Sequence, residues 1–139
     1  MAKTVSASLA FQTFARTTLA ADVSVTALVP ATNILDANGR PEVFPRINLG
    51  EDQELPADDV VGRYTQLTST FHIWSREPGL AVAKAIADTI RRALRLKLWM
   101  LSGYRCCDCK FASARYIRDP DGITAHGIVT FESLIEELA

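Results

Sequence analysis

Residues 63–98 read RYTQLTSTFHIWSREPGLAVAKAIADTIRRALRLKL and predict a β-strand followed directly by an α-helix. The first part, Arg63–Ser75, is rich in threonine, aromatic and β-branched residues, which favour a pleated strand. Because side chains alternate along a strand, bulky residues lie on both of its faces: Leu67, Phe71 and Ile73 on one, and Tyr64, His72 and Trp74 on the other. Such a strand is predicted to lie centrally in a sheet or to meet a partner with its second face.

The helix is predicted over about Leu80–Leu98, after a turn at Arg76–Gly79. Its apolar residues recur with the spacing of one helix face: Ala83, Ile86, Ala87, Ile90 and Leu94. The cationic side chains between Arg91 and Lys97 form either a solvated face or a contact for an acidic surface.

Two more helical segments precede this unit. Ser6–Ala21 is predicted to be a helix, because its apolar side chains fall near one face. A short helix over Val23–Val29 is predicted to be capped by Asp22 and ended by Pro30.

The remaining strands flank the central unit: Ala31–Leu35, Phe44–Leu49, Cys109–Arg118 and Ile123–Glu136. Asn38–Gly39 predicts a turn between the first two, and Asp119–Gly122 joins the last two in a hairpin. Because strands and helices do not alternate regularly, the order predicts an α+β fold. We expect a mostly antiparallel sheet with two main helices packed on one face, in a single domain spanning residues 1–139.

Residues 50–62, GEDQELPADDVVG, are the least core-like part of the chain. A cluster of carboxylates of this kind is typical of a solvated loop. A loop of about a dozen residues is uncommon in a compact domain and is often functional, so both interpretations stay open.

Composition excludes several classes of protein. The 139 residues carry a formal net charge of −1, whereas sequence-independent DNA binders carry a surplus of Lys and Arg. No apolar run approaches the roughly 20 residues that span a bilayer. The N-terminal segment is interrupted by polar residues, which argues against a signal peptide and predicts a protein made in the cytosol.

Cys106, Cys107 and Cys109 admit three interpretations. Structural zinc needs four ligands, and here His72 and His126 would have to complete the set. Part-buried thiols without chemical function fit the spacing better. A redox or intersubunit disulfide role would require exposed thiols.

The two histidines lie in predicted strands, where packing or hydrogen bonding competes with a general-base role. Neither phosphate-loop glycine pattern occurs, and the acidic stretch lacks the pattern of an EF-hand. The sequence therefore predicts no catalytic, cofactor-binding or metal-ligating residue and no enzymatic activity.

Several segments together resemble the tail-terminator, or tail-completion, family of tailed phages. They cover almost the whole chain in order: Asp22–Pro30, Phe44–Glu51, Phe71–Leu94 and Arg118–Glu132. The Cys106–Cys109 cluster and the stretch WMLSGYRCC before it depart from the pattern. Similar proteins occur in phage-derived gene-transfer particles.

The resemblance implies a structural virion protein at the head-proximal end of the tail. Such proteins form a ring of six subunits that caps the tail tube, stops its growth and offers a docking surface for the head. The implied partners are other copies of the chain, the tail tube protein and a head-completion protein, with DNA passing through the lumen without specific binding and no membrane involved. Alternatives are another head–tail connector, a tube-like subunit, or a small enzyme or metal-binding domain.

In a ring, each subunit contacts the next one. Such a contact would explain both the acidic stretch and the bulky second face of the central strand. The candidate residues for the subunit or tube interface are Glu51, Asp52, Glu54, Asp58, Asp59, Tyr64, His72 and Trp74.

Overall fold

The computed structural model describes residues 6–37, 42–57 and 63–138. Three α-helices are present in these ranges: α1 (Ala7–Ala21), α2 (Val23–Thr26) and α3 (Ala81–Leu94). The strands are β1 (Ile34–Leu35), β2 (Arg46–Pro56), β3 (Tyr64–Ser75), β4 (Met100–Leu101), β5 (Tyr104–Arg118) and β6 (Ala125–Glu137). None of the helices in these ranges is long and apolar enough to cross a membrane.

All six strands form one sheet in the order β1-β2-β3-β6-β5-β4. β1 runs parallel to β2, and every other neighbouring pair is antiparallel. The predicted α+β class with a mostly antiparallel sheet is confirmed, and β3 is a central strand. The predicted hairpin is formed by β5 and β6 around a turn in which the Gly122 amide donates to the Asp119 carbonyl over 3.0 Å.

Local capping explains where the first helices begin. The Ser6 hydroxyl accepts a hydrogen bond from the Leu9 amide at 3.2 Å, at the start of α1. The Asp22 carboxylate accepts from the Ser24 and Val25 amides at 2.9 and 3.1 Å, as expected for an N-cap. α2 ends at Thr26, three residues before the predicted end of this short helix.

The prediction of a loop across the acidic stretch was wrong for Gly50–Pro56, which forms the second half of β2. The side chains from Glu51 onward are exposed. Their charges suggested a loop, but charged side chains are also common on strands at the edge of a sheet. The predicted strand Ala31–Leu35 is a 3₁₀ turn followed by two strand residues. The Asn38–Gly39 turn lies outside the described residues.

The region after α3 also differs from the prediction. α3 ends at Leu94 rather than Leu98, because Arg95 is extended and Leu96 has a φ of 59°. The Leu96 amide then donates to the Cys109 carbonyl over 2.7 Å, which draws the chain back to the sheet. As a result β4 forms, and β5 begins five residues earlier than predicted.

The core lies between the helices and one face of the sheet. From Leu67 onward the odd-numbered residues of β3 are buried there, among them Phe71 and Ile73, together with α1 and α3 side chains. Phe71 packs edge-on against Phe131 of β6, with ring centroids 6.0 Å apart. We call this the helix-covered face and its opposite the open face.

Candidate functional site

Glu51, His72, His126 and Trp74 form a connected group on the open face, which we call the histidine cluster. His72 and Trp74 alternate along β3, and His126 lies opposite Trp74 on β6. The His72 Nδ1 and His126 Nε2 atoms are 2.8 Å apart, and the His72 Nε2 atom is 2.7 Å from a Glu51 carboxylate oxygen. The His126 ring stacks on Trp74 with centroids 3.8 Å apart and planes at 10°.

These contacts define the protonation pattern of the cluster in its neutral form. A carboxylate can only accept, so the His72 Nε2–H donates to Glu51. The Nδ1 atom of neutral His72 is then an acceptor, and His126 donates its Nε2–H to it. Each ring therefore holds the next in a defined orientation.

Electrostatics reinforce this pattern. The hydrogen bond from His72 holds the pKa of Glu51 below its ordinary range. Burial, followed by the neighbouring His72, lowers the pKa of His126. A negative Glu51 and a neutral His126 are therefore favoured at neutral pH.

Gly50 makes room for the cluster. A β-bulge between Leu49 and Asp52 places an extra residue on β2 opposite β3. A Cβ atom at Gly50 would lie 2.5 Å from His72 Cδ2 and 2.9 Å from Nε2, too close for any real contact. The absence of a side chain at Gly50 thus lets the His72 ring reach Glu51.

Arg46 extends the cluster toward the start of β2. Its guanidinium lies 5.3 Å from the Trp74 ring centroid and 4.8 Å from that of Phe44, and its Nε–H donates to Asn48 over 2.8 Å. Arg76 covers Phe44 at 4.3 Å. Together with the β5–β6 turn, these side chains line a cleft of about 530 Å³.

The three cysteines lie away from this cluster and are unpaired thiols. Cys106 and Cys109 are buried on the helix-covered face, and Cys107 is half-buried. The hydrogen bond to Cys109, together with burial, raises the pKa of the Cys106 thiol. The same hydrogen bond from Cys106 lowers the pKa of the Cys109 thiol, but Cys109 is fully buried. Burial of both thiols is typical of packed cysteines, because reactive cysteines are accessible to solvent.

The contacts of the histidine cluster hold its rings in place, and two common kinds of reaction centre are not found among the described residues. Among the described residues no hydroxyl or thiol is hydrogen-bonded to either imidazole, as a nucleophile activated by histidine would be. No group of three His, Cys, Asp or Glu side chains in the same residues is arranged to hold a metal ion. The half-buried rings and the exposed Glu51 carboxylate are suited to contact another protein surface.

The predicted interface residues lie on different surfaces. Tyr64, His72 and Trp74 share the open face, and Glu51 joins them through His72. Asp52 and Glu54 follow the bulge and are opposite Ser69 and Leu67, and a Glu54 carboxylate oxygen accepts from the Ser8 amide of α1 at 2.9 Å. Asp58 and Asp59 lie outside the described residues.

His126 is the member of the cluster that was not among the predicted interface residues. The two are 54 positions apart, and their meeting depends on the pairing of β3 with β6. Once that register is assumed, His126 falls opposite Trp74, so the sheet order is the signal that was missing.

Comparisons with known proteins define the class to which this fold and surface belong, the structural proteins of virion tails. The family model of the tail completion protein gp17 matches residues 16–136. The chain therefore belongs to the tail completion protein gp17 family and is a component of the virion tail.

One relative and two solved structures describe the similarity. The tail completion protein gp17 of Bacillus phage SPP1 is 27% identical over 96 residues, 69% of this chain and 71% of that protein. The structure of bacteriophage SPP1 gp17 has a TM-score of 0.61 at 25% identity, covering 95% of this chain and 94% of the other. A chain in the virion of a native gene transfer agent particle has a TM-score of 0.86 at 24% identity, covering 96% and 99%.

Proposed function

We propose that this protein is the tail terminator of its particle. Copies of the chain, six in a ring, cap the finished tail tube, stop its polymerisation and present a surface to which the filled head docks. The observation that carries the proposal is the match of the gp17 family to residues 16–136, nearly the whole chain. We take residues 1–139 as one domain that acts as the ring subunit.

The surfaces of the chain support a binding role. The ordered side chains of the histidine cluster lie on the open face, where Glu51 remains 74% exposed. A rigid, mixed array of aromatic, imidazole and carboxylate groups is suited to specific contact, because little conformational entropy is lost when it binds. The proposed interface with a neighbouring subunit or the tube includes Tyr64, His72, Trp74 and Glu51 of this face, together with Asp52, Glu54, Asp58 and Asp59.

The proposed partners follow from the position of a terminator. The tail tube protein lies on one side of the ring, the head-completion protein on the other, and DNA passes through the lumen. The net charge of −1 supports passage without retention, because strong DNA binding requires neutralisation of phosphates by cations. The protein acts through the geometry of its contacts and not through catalysis.

The decisive experiment is electron microscopy of particles assembled without this chain, with the wild-type gene supplied in trans as the control. Termination predicts overlong tails that carry no heads. Tails of normal length without heads would favour the second candidate, a head–tail connector that does not control length. Normal particles would contradict both roles.

A further inference from the structure

Both edges of the sheet end in long stretches without a neighbouring strand. β1 pairs with β2 only at Ile47 and Asn48, so Gly50–Pro56 has no outer partner among the described residues. β4 pairs with the first two residues of β5, and the hydrogen bonds of the segment before it reach no further than Cys109. The stretch Lys110–Arg118 therefore also has a free outer side in the described parts of the chain. Unpaired backbone groups of this kind are a template for another strand.

The two free edges carry opposite charge. The β2 edge, Gly50–Pro56, has three carboxylates and no cation, namely Glu51, Asp52 and Glu54. The β5 edge, Lys110–Arg118, has three cations and no carboxylate, namely Lys110, Arg115 and Arg118. Arg115 and Arg118 have no ion-pair partner within the described residues. Like-charged strands side by side repel, whereas these two edges attract each other.

Strand directions also match. β2, β3, β6 and β5 are antiparallel in turn, so β5 runs opposite to β2. A second copy related by rotation about an axis near the strand direction keeps this order, and its β2 would lie antiparallel to β5 of the first copy. Such a contact is heterologous, and it closes into a ring when the rotation closes.

The two edges are offset along the strands. Gln53, at the centre of the β2 edge, pairs with Thr68 of β3, which in turn pairs with Glu132 of β6. Ala114, at the centre of the β5 edge, pairs with Val129 of β6. The centres are thus three positions apart along β6, about 10 Å. Joining them staggers neighbouring copies, and a closed sheet accommodates stagger by tilting its strands against the ring axis.

We propose that the β5 edge of one subunit pairs antiparallel with the β2 edge of the next, so that the sheet continues from copy to copy around the ring. This inference rests on the proposed ring and names the surfaces that form it. The occupant of each edge is a second copy of this chain. Pairing of like edges is suppressed, because each of the two copies would bring three charges of the same sign to the contact.

Directed cross-linking distinguishes this arrangement from others. Gln53 and Ser113 are exposed residues near the centres of the two edges, and both lie on the open face. Q53C and S113C are prepared singly and together in a C107S background, which removes the half-buried thiol, and are treated with a short bis-maleimide. The reaction is run on the purified chain and on tail tubes assembled without it.

The edge pairing predicts that neither single variant forms covalent dimers with itself, that a mixture of the two forms dimers, and that the double variant forms a ladder ending at the ring. The matched control, S113C with R92C on the exposed side of α3, forms no ladder. Self-cross-linking of either single variant, or rings whose double variant gives no ladder, would overturn the proposal.

Charge reversal supplies a second readout. R115E with R118E is expected to weaken subunit association about tenfold or more, because two like-charged edges then meet. The control, R95E with K97E, changes charge equally at exposed positions beyond α3 and leaves association unchanged.

If the wild type forms rings and the reversed variant forms them equally well, edge pairing is wrong and the terminator role stands. If the wild type forms no ring alone or on tubes, the proposed function itself fails.

Discussion

At Gly50 the backbone of β2 passes so close to the His72 ring that any side chain would displace it. We expect Gly50→Ala to reduce the free energy of unfolding by about 1–3 kcal/mol, the usual cost of overpacking. The ring must move, so its contacts with Glu51 and His126 should also be lost. Urea denaturation measures the stability, and imidazole NMR signals report the cluster.

A double-mutant cycle identifies the source of that cost. In a His72→Ala background, Gly50→Ala should cost clearly less, because the remaining close neighbour of the new Cβ is the Thr70 carbonyl at 3.0 Å. An equal cost in both backgrounds would show that the His72 ring is not what requires glycine.

His126 gives stability a defined pH dependence. Its pKa lies below the ordinary value of 6.5, since burial and His72 disfavour the imidazolium. As the pH decreases, the imidazole is therefore protonated in the unfolded chain before it is protonated in the folded protein. The free energy of unfolding consequently falls as the pH decreases through 6.5. Asp119 and Glu51 oppose the lowering of the pKa and Arg115 adds to it. Glu51, whose pKa is also lowered, adds a further loss only below about its ordinary value of 4.5.

We therefore expect the wild type to lose more stability between pH 7.5 and 5.5 than His126→Gln, which keeps a donor but cannot titrate. Urea unfolding across this range, with Asp36→Asn as a control on an exposed carboxylate, measures the difference. Parallel pH profiles of stability for wild type and His126→Gln would show that His126 is not the source of this pH dependence.

The elements that the sequence predicted well are those whose signal is local. α1 and the middle of α3 follow from apolar spacing, β3 from its β-branched and aromatic residues, and the β5–β6 hairpin from Asp119–Gly122. Tyr64, His72 and Trp74 were correctly placed on one face for the same reason, because alternation along a strand needs no partner.

The elements that the sequence did not predict depend on distant partners. The acidic half of β2 is a strand because β3 supplies its ladder from Asp52 to Pro56, which composition does not reveal. α3 stops early because residues 95–101 turn back to pair with β5. His126 joins the cluster through the register of β3 with β6. In each case tertiary pairing overrides local propensity.

For the whole molecule, the predicted fold class follows from the order of elements, whereas the sheet order and its two oppositely charged edges require the three-dimensional pairing. The distribution of charge matters more than its sum. A net charge of −1 conceals an acidic β2 edge and a basic β5 edge. If these edges meet in the ring, their charges neutralise each other, and the basic β5 edge is no longer available to attract DNA.

We therefore expect the wild-type protein to bind duplex DNA more weakly than the roughly 10⁻⁴–10⁻⁶ M range of non-specific DNA binders at physiological salt. Fluorescence anisotropy of a labelled duplex, measured on the assembled protein, tests this. A variant with A85K, L96K and L98K adds three cations at exposed positions outside the two edges and should show salt-sensitive binding, which verifies that the assay can detect it. Micromolar, salt-sensitive binding by the wild type would mean that basic side chains remain available to phosphate, and that DNA cannot pass this ring without being held by it.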